Sequence, residues 1–180
     1  ATDTEDATNT LSLATSYTDN AGNSGPSETT SNYAVETLAP TVSSVAITAA
    51  AVIQNNFVNA GDNVSVTTTF SETVVVDNSS GSPTLTIIVD STSRTATYLS
   101  GSISNQLVFQ YTIQDGENDS DGIRIGSNAL ALNSSTIKDT AGNDATLTHN
   151  AVSDNSNYKV DTIPPTVSST GITSATGRQN

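Results

Sequence analysis

The sequence predicts an all-β protein built from antiparallel strands, and two patterns lead to this prediction. Apolar and polar residues alternate in several short segments, with the period of about two that is typical of half-buried β-strands. Turn-forming Gly, Asn, Asp and Ser residues separate these segments, and no stretch has the period of an amphipathic helix. One stretch also occurs twice, so we expect like units in tandem.

The repeated stretch is residues 31–55, which return as 156–180 with 15 of 25 aligned positions identical and a constant offset of 125. An offset of this size fits small domains in tandem. Each copy holds an acid, Glu36 or Asp161, followed by Thr and a proline-containing step that favours an extended linker. The predicted division is the end of a preceding unit with its linker (1–37), a complete unit (38–162), and a linker with the first strand of the following unit (163–180).

The alternation predicts strands on both sides of this linker. In the preceding unit we expect strands at 10–17 and 32–35. In the complete unit the predicted strands are 42–47, 64–70, 84–89, 94–99, 107–113, 123–125, 129–132 with Ile137, 145–152 and 157–160. The predicted core contains Leu85, Ile87, Phe109, Tyr111 and Leu132.

About seven short strands separated by turns are typical of an antiparallel β-sandwich of immunoglobulin-like type. The Cys and Trp core markers of that fold are missing, so the strand pattern alone supports the prediction. A low aromatic content of 4% with many Ser, Thr, Asn and Asp residues also fits disorder. The regular apolar patterning favours a folded chain.

The chain is strongly acidic, with 18 Asp and Glu against 5 Lys and Arg and a net charge of −13. This charge argues against nucleic acid or an anionic membrane surface as a partner and favours cations. The absence of cysteine rules out disulfides and thiolate sites. No apolar run approaches the roughly 18 residues of a membrane helix, so we expect no direct membrane insertion.

The densest acidic stretch, residues 115–122, reads DGENDSDG. Calcium takes six to eight oxygen ligands, so alternating acids on a glycine-bearing loop suit it. Glu117, Asp119, Asp121 and Gly122 match the first spacings of an EF-hand loop, but the last ligand position is Asn128, so the loop is not an EF-hand. A solvated acidic hairpin is the alternative.

A second cluster, Asp139, Asn143 and Asp144, lies in a loop whose sequence DTAGN resembles DNAGN at 19–23. In a sandwich that the chain crosses from pole to pole, this loop lies with Glu72 and Asp77 near Glu36, at the upstream pole. An Asx-type turn is the alternative for this loop.

The loop 115–121 then lies with Asp161 at the downstream pole. Stacked units bring the two kinds of loop together with the linker acid, which predicts calcium at the junctions. The predicted ligands are Glu36, Asp115, Glu117, Asp119, Asp121, Asp139, Asn143 and Asp161, with Asp3, Glu5 and Asp6 near the upstream junction.

Catalysis is not expected. A Ser/His/Asp triad depends on His149 alone, which we interpret as a surface strand residue. A carboxyl outside an apolar pocket stays ionised and is a poor proton donor for glycoside hydrolysis. Lys138 and Lys159 leave open an intramolecular isopeptide crosslink, for which the sequence gives no buried apolar setting.

Several segments together resemble the Ig-like repeats of giant bacterial cell-surface adhesins, including those with RTX-type C-termini. They are NAGDNVSVTTTFSETV, RTATYLSG, QDGENDSDGI, LNSSTIKDTAGN and VDTIPPTVSS. The resemblance implies an extracellular, calcium-loaded extender repeat whose partners are neighbouring repeats, in attachment or biofilm formation. The alternative is a unit that itself binds a glycan or protein. Five Tyr and three Phe favour the extender, because sugar sites generally need an aromatic platform.

Overall fold

The computed structural model describes residues 5–51 and 53–171, and these residues form strands and turns without a helix. The strands are β1 (Glu5–Asn9), β2 (Ser12–Leu13), β3 (Glu28–Thr29), β4 (Tyr33–Glu36), β5 (Val42–Ala50), β6 (Phe57–Val58), β7 (Asn63–Asp77), β8 (Thr84–Val89), β9 (Thr92–Ser100), β10 (Ser104–Thr112), β11 (Asn118–Asp119), β12 (Arg124–Ala131), β13 (Thr136–Lys138) and β14 (Lys159–Asp161). The prediction of an all-β chain with antiparallel sheets is confirmed. No helix among the described residues is long and apolar enough to cross a membrane.

Two small ribbons precede the linker. β1 pairs with β4, and β2 pairs with β3. The predicted strand 10–17 is reduced to the two residues of β2, because Leu11 and Leu13 remain 70% and 54% exposed and have no core to pack against. The predicted strand 32–35 agrees with β4.

The main sheet has the order β12-β8-β9-β10-β7-β13, and β5 pairs with the first half of β7. β7 runs to Asp77, well beyond the predicted 64–70, because its last residues gain a new partner in β13. Burial alternates along β7 and β8, so each strand turns one face toward a common core. This arrangement is compatible with a β-sandwich.

The core lies between these strands and includes Leu85, Ile87 and Phe109, as predicted. Tyr111 is half-buried and packs against that core. The prediction for Leu132 is wrong, since this side chain is 36% exposed. Leu130 is buried instead and lies opposite Leu85, because β12 ends at Ala131 and the chain then turns away with positive φ at two residues, Asn133 and Ser134.

The final strands also differ from the prediction. Residues 145–152 form isolated bridges rather than a strand, since Thr146 N–H donates to Pro40 O and Val152 N–H donates to Ile125 O, both at 2.8 Å. The segment thus divides these hydrogen bonds between the residues just before β5 and β12. β14 pairs with β11 and, in parallel, with β6.

Candidate metal site at the upstream pole

Three carboxylates converge where the linker meets the complete unit. Ligand oxygens of Glu36, Glu72 and Asp139 all lie within 4.8 Å of one another, and among the described residues no other Asp, Glu and His side chains form such a group of three. Glu36 ends β4, Glu72 lies on β7, and Asp139 follows β13. β13 pairs with the end of β7, so the turn after β13 is carried back along β7 toward Glu72.

The loop 139–143 is held by its own aspartate. Asp139 Oδ1 accepts backbone N–H groups from Ala141, Gly142 and Asn143 at 2.8, 2.6 and 2.8 Å. Gly142 has a φ of 104°, a left-handed conformation that glycine adopts readily. The Asp139 side chain is thereby buried and fixed in direction.

Asn143 joins the linker acid to this loop. Its Nδ2 group donates to Glu36 Oε2 at 2.9 Å and to Asp139 Oδ2 at 2.7 Å. Glu36 Oε1 accepts from Leu38 N–H at 2.6 Å, which orients the carboxylate within the linker. Asn143 therefore presents its amide N–H₂ to the carboxylates, whereas a cation ligand would present the amide oxygen.

The neighbouring carboxyls of Glu36 and Asp139 differ in the direction of their pKa shifts. Burial raises the pKa of Glu36, and the neighbouring Asp139 carboxylate raises it further. Burial also acts to raise the pKa of Asp139, but hydrogen bonds from the Asn143 side chain and backbone outweigh it and lower that pKa. Asp139 therefore loses its proton more readily than Glu36. An all-oxygen set of this kind suits a hard divalent cation.

The neighbouring lysine points to the outside of the loop. Lys138 Nζ lies 2.8 Å from Asp144 Oδ1, whose side chain is 79% exposed. Lys159 Nζ lies over the Phe57 ring at 5.5 Å from its centroid. The Lys138 pair thus lacks the buried apolar setting that an isopeptide crosslink needs.

The downstream loop uses two of its acids internally. Glu117 is 5% exposed and accepts hydrogen bonds from Arg94 Nε, from Tyr111 Oη at 2.7 Å and from Gln114 N–H at 2.8 Å. Burial, together with this bond to Glu117, raises the pKa of Tyr111 to about 12. Asp119 is also buried and accepts from Asp90 and Gly122 N–H, both at 2.7 Å.

Asp115 and Asp121 are exposed on the same loop. Within the described residues, the four acids of the loop do not form a group of three with ligand atoms inside 4.8 Å. Asp161 lies beside the loop, because β14 pairs with β11 and sets Asp161 opposite Asn118. Calcium binding by this loop stays a prediction, and Arg94 already supplies a positive charge there.

Arg94 is the partner that the sequence argument missed. The arginine lies 23 residues before Glu117 and reaches it from β9. The available signal was a base within a predicted strand of a chain that has only five Lys and Arg. A charged side chain within a strand is stabilised by a nearby acid, so the arginine indicates an acidic partner.

The remaining acids named in the sequence have separate places. Asp3 lies outside the described residues, and Glu5 pairs through its backbone with Glu36. Asp6 Oδ1 accepts from Thr8 N–H at 3.1 Å, and Asp77 Oδ1 accepts from Ser79 N–H at 3.0 Å. The first of these bonds lies within β1, where the register is irregular, and the second stabilises the turn after β7.

His149 lies in the bridging segment 145–152 and not in a strand. Its Nε2 accepts from Ala129 N–H at 2.8 Å, and Nδ1 lies 2.8 Å from Asn150 O. Both ring nitrogens are thus engaged with the backbone, and the ring fastens this segment to β12.

Comparison with protein-family models, with curated proteins and with solved structures finds no match to this chain.

Proposed function

We propose that this chain is an extender segment of a bacterial surface adhesin, in which calcium stiffens the junctions between tandem immunoglobulin-like units. The observation that carries the proposal is the convergence of Glu36 from the linker with Glu72 and Asp139 from the following unit. A cation bound there takes oxygens from both sides of a junction. Its coordination shell replaces free rotation of the linker backbone with one fixed geometry.

The immunoglobulin-like part of the proposal is supported by the strand order. The first long strand, β5, and the late strand β13 both pair with β7, while β8 and β12 pair at the far edge of the sheet. Thr41, near the start of the complete unit, forms a parallel bridge with Thr146. This bridge joins the start of the unit to the segment 145–152, late in the unit.

The calcium part of the proposal is supported by the chemistry of the site. Its donors are carboxylates, which hard cations prefer, and it contains no sulfur or imidazole. A net charge of −13 adds a general attraction for cations. The partners in this proposal are neighbouring units of the same chain, outside the cell at the bacterial surface, and the role is mechanical and not enzymatic.

Calorimetric titration with calcium tests this proposal. Glu72→Gln removes one carboxylate and keeps the size of the side chain, so we expect calcium affinity to fall by about tenfold or more, because ligand charge strongly tunes such sites. Glu28→Gln makes the same chemical change at an exposed residue of β3 that is not among the predicted ligands, and it serves as the control. Equal affinity in both variants would refute a specific site at Glu72.

A further inference from the structure

The contact between Glu36 and Asn143 has two halves, and the chain carries a second copy of each. One half is a linker acid, oriented by a backbone N–H two residues later. The other half is an asparagine amide, oriented by the aspartate that opens its loop. In the observed contact the amide Nδ2 donates to the acid at 2.9 Å.

The second copy of the amide half is the loop 19–23. Asp19 Oδ1 accepts from the N–H groups of Ala21 and Asn23 at 2.8 and 2.9 Å, and Asp19 Oδ2 accepts from Asn23 Nδ2 at 2.9 Å. The backbone bond from Asp19 N to Asn23 O measures 3.0 Å, as does the matching bond in loop 139–143. Asn23 is exposed, whereas Asn143 is half-buried against Glu36.

The second copy of the acid half is Asp161, which lies 125 residues after Glu36. Its Oδ1 accepts from Ile163 N–H at 3.0 Å, which repeats the bond between Glu36 and Leu38 N–H. Asp161 is exposed. The following residues hold a Pro-Pro step, which keeps the linker extended.

We propose that the loop 19–23 is a docking surface for the Asp161 linker of a second copy of this chain. In this contact Asn23 Nδ2 donates to the second carboxylate oxygen of Asp161, as Asn143 Nδ2 donates to Glu36 Oε2. The contact is heterologous, so it repeats head to tail. The inference rests on the proposed function, because in a tandem array the same pairing joins consecutive units.

The pairing is expected to be weak between separate molecules, since it joins one amide to one carboxylate and the neighbouring Asp19 repels the incoming acid. Within an array the linker holds the two halves close together, and the effective concentration offsets that weakness. A measurement between separate molecules therefore needs millimolar partner and a residue-specific signal.

The test uses the full chain, labelled with ¹⁵N, and a synthetic peptide of residues 159–167 in the presence of chelator. We expect saturable shifts of the Asn23 side-chain N–H₂ signals and no shift at Asn143, whose amide already holds Glu36. A peptide with Asp161→Ala is expected to leave Asn23 unchanged. An unshifted Asn23 signal, or equal shifts with both peptides, would overturn the proposal.

A Glu36→Ala chain supplies the matched control, because it frees the Asn143 amide. The peptide is then expected to shift both amides. If it shifts Asn143 alone, the loop 19–23 is not the docking surface. Calcium titration of the unmixed chain is independent of these outcomes, so failure of docking is distinguishable from failure of the proposed calcium junction.

Discussion

Arg94 and Arg124 show how much the surroundings of one residue decide its role. Both arginine side chains are 36% exposed, and each pairs with an acid. The partner of Arg94 is Glu117, 4% exposed at its side chain, whereas the partner of Arg124 is Asp154, 41% exposed. A hydrogen bond to a buried charge contributes more than an exposed ion pair.

We therefore predict that Arg94→Met lowers the free energy of unfolding by about 1.5–3 kcal/mol, since it removes the arginine that pairs with the buried Glu117 carboxylate. Arg124→Met is the matched control and should cost about 0–1 kcal/mol. Urea denaturation of the three proteins measures both values. Equal costs would show that Glu117 does not depend on Arg94.

The hydrogen bond between Tyr111 and Glu117 predicts a loss of stability at alkaline pH. In the folded chain the pKa of the Tyr111 phenol is about 12, above the value of about 10 for an unperturbed tyrosine. The stability that this raised pKa contributes is fully present below pH 10 and is lost as pH rises toward 12, because tyrosine in the unfolded chain releases its proton at a lower pH.

Unfolding measured from pH 9 to 12 should show a steeper decline in the wild type than in Tyr111→Phe, which has no phenol to ionise. The comparison cancels the titration of lysines and other tyrosines. Parallel curves for the two proteins would contradict the hydrogen-bonded role of Tyr111.

The predicted strands agree with the observed ones where the alternating apolar side chains all pack into one core. The predicted strand 84–89 matches β8 at both ends, and its inward residues Leu85 and Ile87 are fully buried. The prediction fails at 145–152, where apolar residues alternate but hydrogen bonds divide between two neighbours. The local apolar pattern does not reveal which neighbouring segments will accept and donate the backbone hydrogen bonds.

The hairpin between β9 and β10 depends on Gly101. Its φ is 111°, and a Cβ added there would lie 2.0 Å from Gln106 O. Gly61 also has positive φ, at 87°, but an added Cβ meets nothing within 4 Å. Both glycines thus have a left-handed backbone conformation, but only at Gly101 would an added side chain also collide with neighbouring atoms.

Gly61→Ala should cost about 1–2 kcal/mol, the penalty of a left-handed conformation for alanine. Gly101→Ala should cost clearly more, since the backbone of β10 must also shift. Thermal unfolding of both variants provides the comparison. A smaller loss for Gly101→Ala than for Gly61→Ala would contradict the hairpin geometry described here.

For the whole molecule, the repeat carried the prediction of the candidate site. The repeat identifies Glu36 as a linker acid, and a chain that crosses the sandwich from pole to pole is predicted to bring Glu72, Asp139 and Asn143 near it, where the structure has them. The direction of the Asn143 amide was not predictable, because it depends on which atoms of two carboxylates face it. The hydrogen bonds that engage Glu117 and Asp119 within the unit are likewise not predictable from the sequence, since their partners lie on β9, on β10 and in the turn after β8.

We propose that calcium stiffens the junction at Glu36, Glu72 and Asp139. The chain has no cysteine, so Ser27→Cys and Ser127→Cys introduce two unique spin-label positions, both exposed, on opposite sides of this junction and outside the loop 115–122. Pulsed electron paramagnetic resonance then gives the distance distribution between the labels. Magnesium at equal ionic strength controls for charge screening, and Glu72→Gln controls for the site.

We predict a narrow distribution in calcium and a broader one in chelator or magnesium, with the difference abolished by Glu72→Gln. The physical reason is that a cation bound by linker and unit fixes the backbone between them, whereas three neighbouring carboxylates without it repel one another. A distribution of the same width in calcium and in chelator would contradict the calcium-stiffened junction.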